Sequence, residues 1–189
     1  LILMLQFCVI EVHGHNYIKT VTATSANGEG IEIVQFYNAL GQPSEKKLRY
    51  MGGNGKDLVS LSTYNSRNLL EKEWLMLPTP HSDFPIFDYP KTVQDLICKY
   101  YGESETPYEM QTYESSPLAR PIRKYGAGSL WHANEKAVEV IYGVNGDKYP
   151  CRIFTTTDER DSILVSVVGT YPDGELLVTE TGDEDGKIY

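Results

Sequence analysis

Turn residues, spread along the whole chain, set the limits on what it can fold into. Ten prolines and sixteen glycines are scattered over 189 residues instead of being pooled in one linker. They cut the chain into short segments and argue against long helices. Fourteen tyrosines against five phenylalanines and two tryptophans favour half-buried β surfaces, where a ring packs and a hydroxyl reaches water or a partner. Residues 17–24, 31–37, 45–50, 58–64 and 69–75 therefore read as strands, with Asn27-Gly28 as a tight hairpin turn. A second series, 108–113, 137–142, 148–156, 163–168 and 175–181, reads as a meander of hairpins. Its joints are Asn145-Gly146, residues 158–161 and Pro172-Asp173-Gly174.

Two stretches break the pattern. Residues 77–90 hold Pro78, Pro80, Pro85 and Pro90 with Phe84, Phe87 and Tyr89 between them, and read as an ordered crossing loop because proline supplies no ladder donor. Residues 91–101 form the one expected helix. Val93, Leu96, Ile97, Tyr100 and Tyr101 fall at helical spacing, with Pro90 near the start and Gly102 past the end. The expected class is mainly β: antiparallel hairpins stacked into a curved sheet, with one short α-helix.

Composition narrows the function classes. With 41% hydrophobic and 23% charged residues the chain is globular in type. Seventeen basic against 26 acidic residues give −9, without the electrostatic footprint of a nucleic-acid or anionic-membrane binder. Nine acids against two basic residues lie from Thr157 onward. They read as a solvated face that keeps strand edges apart.

The apolar run 1–10 is too short to span a bilayer and has the length of a signal-peptide core. Val12-His13-Gly14 supplies small residues for cleavage. Residues 1–14 are thus expected to be a signal peptide truncated at its start, and 15–189 an exported β-rich domain. A buried N-terminal strand is the other reading of the same residues. At the far end, Asp183 to Tyr189 read as a turn and the opening of a strand, as in a fragment of something longer. Removal of the leader would take Cys8 away and leave Cys98 and Cys151, either as a disulfide pair or as two core thiols.

An internal repeat links the first strands. Val34-Gln35-Phe36-Tyr37-Asn38-Ala39-Leu40-Gly41 aligns with Leu61-Ser62-Thr63-Tyr64-Asn65-Ser66-Arg67-Asn68, matching Tyr37 with Tyr64, Asn38 with Asn65 and Gly41 with Asn68. Gly and Asn are the residues that most readily take the left-handed conformation of a tight turn. A third copy places Asp183 over Asn38 and Gly186 over Gly41. One such hairpin cannot bury its own apolar face, so units must stack side by side.

Tyr37 to Pro43 and Tyr64 to Asn68 resemble degenerate YD (RHS) repeats, usually Tyr-Asp-x-x-Gly-Arg. Asn38 and Asn65 stand in place of the Asp, Gln42 in place of the Arg, and Asn68-Leu69 in place of Gly-Arg. Further features follow in order: Asn16-Tyr17-Ile18, Asp57-Leu58-Val59, Trp74-Leu75, Glu114-Ser115-Ser116-Pro117-Leu118-Ala119-Arg120, Tyr125 to Trp131, and Thr179 to Lys187. Together they resemble the N-terminal domain of unknown function of secreted bacterial RHS-repeat proteins. The resemblance implies a non-catalytic scaffold segment at the cell envelope, cell surface or outside the cell. Its partners would be downstream RHS/YD repeats of the same chain, often followed by an effector such as a toxin.

A different class of function remains open, a glycan- or protein-binding β module using exposed aromatics. Its candidates are Trp131, His132, Tyr100 and Tyr101, and its sign would be several of these rings in one groove. An enzyme would need His81 or His132 beside a carboxylate in a cleft; no catalytic constellation is visible in the sequence. Ser129 lacks the glycines of a nucleophile elbow, since Ala127 and Trp131 occupy their places. His13-x-His15 lacks further ligands, and Asp183-x-Asp185-Gly186 is only part of a calcium loop. No metal, cofactor, nucleic acid or mature membrane span is expected.

Overall fold

The computed structural model describes residues 16–24, 30–83, 90–102, 105–159 and 162–188. Residues 1–14, expected to be a signal peptide, His15, the expected Asn27-Gly28 turn and the aromatic part of the proline stretch, 84–89, lie outside the described residues. The chain is mainly β with antiparallel pairing. It divides into two compact units: Leu1–Thr112 with Lys124–Lys136, and Tyr113–Arg123 with Ala137–Tyr189.

The first unit carries β1 (Asn16–Ala23), β2 (Gly30–Tyr37), β3 (Pro43–Leu48), β4 (Asp57–Tyr64), β5 (Leu70–Trp74), β6 (Leu77–Thr79), α1 (Pro90–Tyr101) and most of β7 (Tyr108–Tyr113). Strands β1 to β5 pair in chain order and β7 follows β5. Residues opposite each other in an antiparallel pair point to the same face. The β2–β3–β4 register, Val34 opposite Lys47 and Lys47 opposite Val59, therefore defines one buried face. Val34, Phe36, Val59 and Leu61 alternate on it with solvent-side neighbours, as period-2 patterning requires.

Residues 77–79 correct the crossing-loop expectation. Leu77 pairs with Val59 and Pro78 with Leu58, so β6 is a strand despite its proline, on the part of β4 that β5 leaves uncovered. A short strand at an edge tolerates a missing donor. Helix α1 docks through Ile97, fully buried among Leu61, Trp74 and Leu77, with Cys98 and Tyr108 packed around them. Leu96, Tyr100 and Tyr101 of the expected stripe are exposed instead.

After β8 (Pro121–Tyr125) comes a second, single-turn helix, α2 (Ser129–Ala133), in addition to the one expected. The Trp131 ring lies on Gly126 and Gly128, where a Cβ at Gly128 would sit 3.3 Å from it.

The second unit corrects the meander. Strand β9 (Ala137–Val144) pairs with β12 (Leu177–Gly182), not with the strand that follows it in the chain. Strands β10 (Arg152–Glu159) and β11 (Ser162–Thr170) pair with each other as a separate hairpin between them. Asn145-Gly146 is consequently not a hairpin turn. Neither Cys98 nor Cys151 is in a disulfide.

Candidate functional site

The repeat residues form one recurring backbone device. Asn38 donates its N–H to the Gln42 carbonyl and accepts the Gly41 N–H, both at 2.9 Å, while its Oδ1 accepts the N–H groups of Leu40 and Gln42 at 2.9 Å. Asn65 makes the same four bonds, to Leu69 (2.9 Å), Asn68 (2.9 Å), Arg67 (2.9 Å) and Leu69 again (3.1 Å). Asp183 makes them to Lys187 (2.8 Å), Gly186 (3.0 Å), Asp185 (3.0 Å) and Lys187 again (2.8 Å). The left-handed place is held by Gly41 (φ 76°), Asn68 (φ 59°) and Gly186 (φ 81°). Only the acceptor oxygen is used, which is why Asn and Asp serve equally.

The first two turns are joined. Gln42 Nε2 donates to the Asn68 carbonyl at 2.8 Å, and the Tyr64 hydroxyl donates to the Pro43 carbonyl at 2.6 Å. Gln42 is oriented for this by Asn38, whose Nδ2 donates to its Oε1 at 2.9 Å.

Two further turns of related plan lie in the second unit, and sequence alignment missed both. Glu114 donates its N–H to the Arg120 carbonyl at 3.0 Å, with Ala119 in the left-handed place (φ 50°) and Pro121 following as Pro43 follows Gln42. The Tyr142 hydroxyl donates to the Pro121 carbonyl at 3.0 Å, as Tyr64 does to Pro43. A longer loop, 114–120 against 38–42, hides this correspondence from alignment at a fixed offset. The other turn is split. Asn145 donates its N–H to Leu176, accepts the N–H of Gly174 (φ 81°) and, through Oδ1, that of Leu176, at 2.9, 3.0 and 2.8 Å. Its Nδ2 adds the Pro172 carbonyl at 2.8 Å. Hairpin β10–β11 therefore occupies the tip of a repeat-type turn whose two halves are far apart in sequence.

In the Glu114 turn, Arg120 grips the carboxylate through Nε and Nη2, both at 2.9 Å, and lies 4.2 Å from the Tyr142 ring centre. The Arg120 hydrogen bonds, helped by the Ser116 hydroxyl, push the Glu114 carboxyl from 4.5 down to about 2. A carboxylate with a depressed folded value contributes stability above its unfolded value and loses it as pH falls through the folded one. The 114–120 loop is thus expected to loosen as pH falls from 4.5 towards 2, with loss of a protected Arg120 Nε–H signal in NMR. Glu114→Gln should show that loosening already at neutral pH.

A buried charge cluster lies on the β3 side of the first unit. Glu45, Lys47, Arg49 and Asp57 are all buried, on a face otherwise made of Val34, Phe36, Val59 and Leu61. The segment after β6 covers them: Lys47 Nζ and Arg49 Nη1 donate to the Ser82 carbonyl at 3.1 and 2.9 Å. Arg49 also meets Glu32 (3.2 Å), Asp57 (3.6 Å) and Asp83 (2.9 Å). His81 Nδ1 lies 3.2 Å from Asp57 Oδ1, and its ring stacks on Tyr50 at 4.6 Å. Arg49 Nη1 lies 3.0 Å from the same Nδ1, and the Tyr50 hydroxyl lies 3.2 Å from Nε2. Burial pushes the Asp57 carboxyl up, but hydrogen bonds from the Tyr50 N–H, His81 and the Ser82 N–H outweigh it and hold the carboxyl below the ordinary range. Burial lowers Lys47 against the pull of Glu45. His81 is therefore beside a carboxylate, but Arg49 already engages that carboxylate, and the segment bearing His81 is the lid of the cluster. Such an arrangement straps 80–83 to the sheet.

The four candidate binding rings are divided between two places. Tyr100 and Tyr101 form an edge-on pair 5.0 Å apart on α1, with the Tyr101 hydroxyl on the Met76 carbonyl. His132 stacks on Tyr125 at 5.4 Å and meets Tyr108 edge-on at 5.2 Å, while Trp131 covers the glycines. A shallow depression elsewhere is rimmed by Glu71, Glu73 and the Glu109–Lys124 pair. Among the described residues no cluster of three or more His, Cys, Asp or Glu could hold a metal, and no helix is long and apolar enough to cross a membrane.

Residues 11–144 match the family described as a domain of unknown function, DUF6443. No curated protein and no solved structure matches the chain.

Proposed function

The chain belongs to the DUF6443 family of domains of unknown function, and from that premise we propose that it is a non-catalytic scaffold segment at the N-terminal side of an exported RHS/YD-repeat protein. The observation that carries this reading is the four-bond turn made alike by Asn38, Asn65 and Asp183. A device that satisfies its own backbone groups and, at Gln42, reaches the next turn is what a chain needs to add hairpin after hairpin. The sequence resemblance supplies the secreted bacterial setting, the downstream repeats as partner and an effector at the far end. Strand pairing is the mechanism, with Tyr64 and Tyr142 tying each hairpin to the turn before it.

The test compares this chain alone with the same chain extended by the residues that follow it in its gene. The extension is expected to raise the unfolding temperature and to slow amide exchange at Asp183, Asp185 and Lys187. An extension that unfolds separately, leaving those amides as they were, would overturn the scaffold reading.

A further inference from the structure

We propose that hairpin β10–β11 is a homodimerisation element, in which β11 pairs antiparallel with β11 of a second copy about a two-fold axis at Ser166. This does not depend on the scaffold reading. Phe154, Ile163, Leu164, Val165, Val167 and Val168 are each between 52% and 71% exposed. Because successive residues of a strand point to opposite faces, both faces of the ribbon are apolar, and apolar exposure of this kind marks an interaction site.

A two-stranded ribbon is marginal alone, and among the described residues β11 pairs with no strand but β10. Its other edge also lacks the protections that strands carry against pairing, since residues 163–170 contain no charge and no proline. The sequence is nearly symmetric for two places on each side of Ser166, Val165 against Val167 and Leu164 against Val168, with Gly169 falling against Ile163. An antiparallel partner of the same sequence would place apolar opposite apolar on both faces, with no like charges meeting. The product is a four-stranded sheet with an isologous interface. Asn145 fixes the base of the hairpin, donating to the Pro172 carbonyl and accepting the Leu176 N–H, in the place where repeat architectures carry insertions.

Sedimentation of the 189-residue chain at rising concentration should show a monomer–dimer equilibrium. Ser166→Lys, at an exposed position, sets two ammonium groups opposite each other and should weaken the dimer about tenfold or more while the circular dichroism spectrum stays unchanged. Ser166→Cys should form a disulfide-linked dimer on mild oxidation, since opposed residues bring their Cα atoms to about 4.5–5.5 Å, within disulfide range. Thr155→Cys, on β10, which becomes the outer strand of that sheet, should not. A chain monomeric at every concentration, a dimer indifferent to Ser166→Lys, or equal cross-linking at 155 and 166 would each overturn the proposal. So would a monomer that uses the hairpin to bind vesicles or another protein.

Discussion

Asp57→Ala is expected to lower the stability of the first unit by about 3 kcal/mol, at the low end of what breaking a buried ion pair costs. Asp57 is fully buried and serves four groups: the Tyr50 N–H (3.0 Å), His81 (3.2 Å), Arg49 (3.6 Å) and the Ser82 N–H. Alanine orphans the two backbone N–H groups and His81, while Arg49 falls back on Glu32 and Asp83, which keeps the loss from reaching the upper end. Asp57→Asn retains an acceptor for Tyr50 and removes the charge, so it should fall between wild type and alanine in urea unfolding. The pH dependence follows from the depressed acidity of the carboxyl. Its contribution is complete above the unfolded aspartate value and is lost as pH falls through the lower folded one. Asp57→Asn should flatten that acid limb. An alanine variant within a few tenths of a kcal/mol of wild type would mean that the cluster is no more than an assembly of surface pairs.

That cluster also marks where the sequence was hardest to read. Tyr37-Asn38 with Gly41, and Tyr64-Asn65 with Asn68, were legible because the turn needs an acceptor side chain and a left-handed residue at fixed spacing, and both requirements are written in residue identity. The Glu45-Lys46-Lys47-Leu48-Arg49 run was legible as extended chain but not as buried. Its alternate residues Glu45, Lys47 and Arg49 face the core, which inverts the usual rule that charge marks the solvent face. What makes it tolerable is the Ser82 carbonyl and the carboxylates of Glu32 and Asp57, supplied from elsewhere in the sequence. The β9–β12 pairing was hidden for a related reason. Asn145-Gly146 carries the residues of a hairpin turn, and only the bonds from Asn145 to Leu176 reveal that it pairs across the inserted hairpin. The candidate rings failed to gather because helical spacing fixes which face of α1 they share, but not whether that face is the one docked.

Trp74→Ala is expected to cost about 3–5 kcal/mol, the range for emptying a large aromatic site. Trp74 is 6% exposed and stands at the end of β5, where strand, helix and second-layer contacts converge. It packs with Leu61, Leu77 and Ile97, and its ring lies 4.8 Å from Tyr108, which in turn meets His132 at 5.2 Å. Removing the indole therefore leaves a cavity beneath Ile97, the buried residue through which α1 docks, and frees the first ring of a row. Helix α1 should lose amide protection before the β2–β4 hairpins do, since those are held by their own ladders and turns. Trp74→Phe separates the two contributions. It keeps a ring against Tyr108 but loses the Nε1–H bond to Thr63 Oγ1 at 3.3 Å, which should account for about 1 kcal/mol of the total. Hydrogen exchange on both variants decides the point: α1 and the sheet losing protection together would mean that the helix is part of the sheet's cooperative unit, not a plug held in place by one tryptophan.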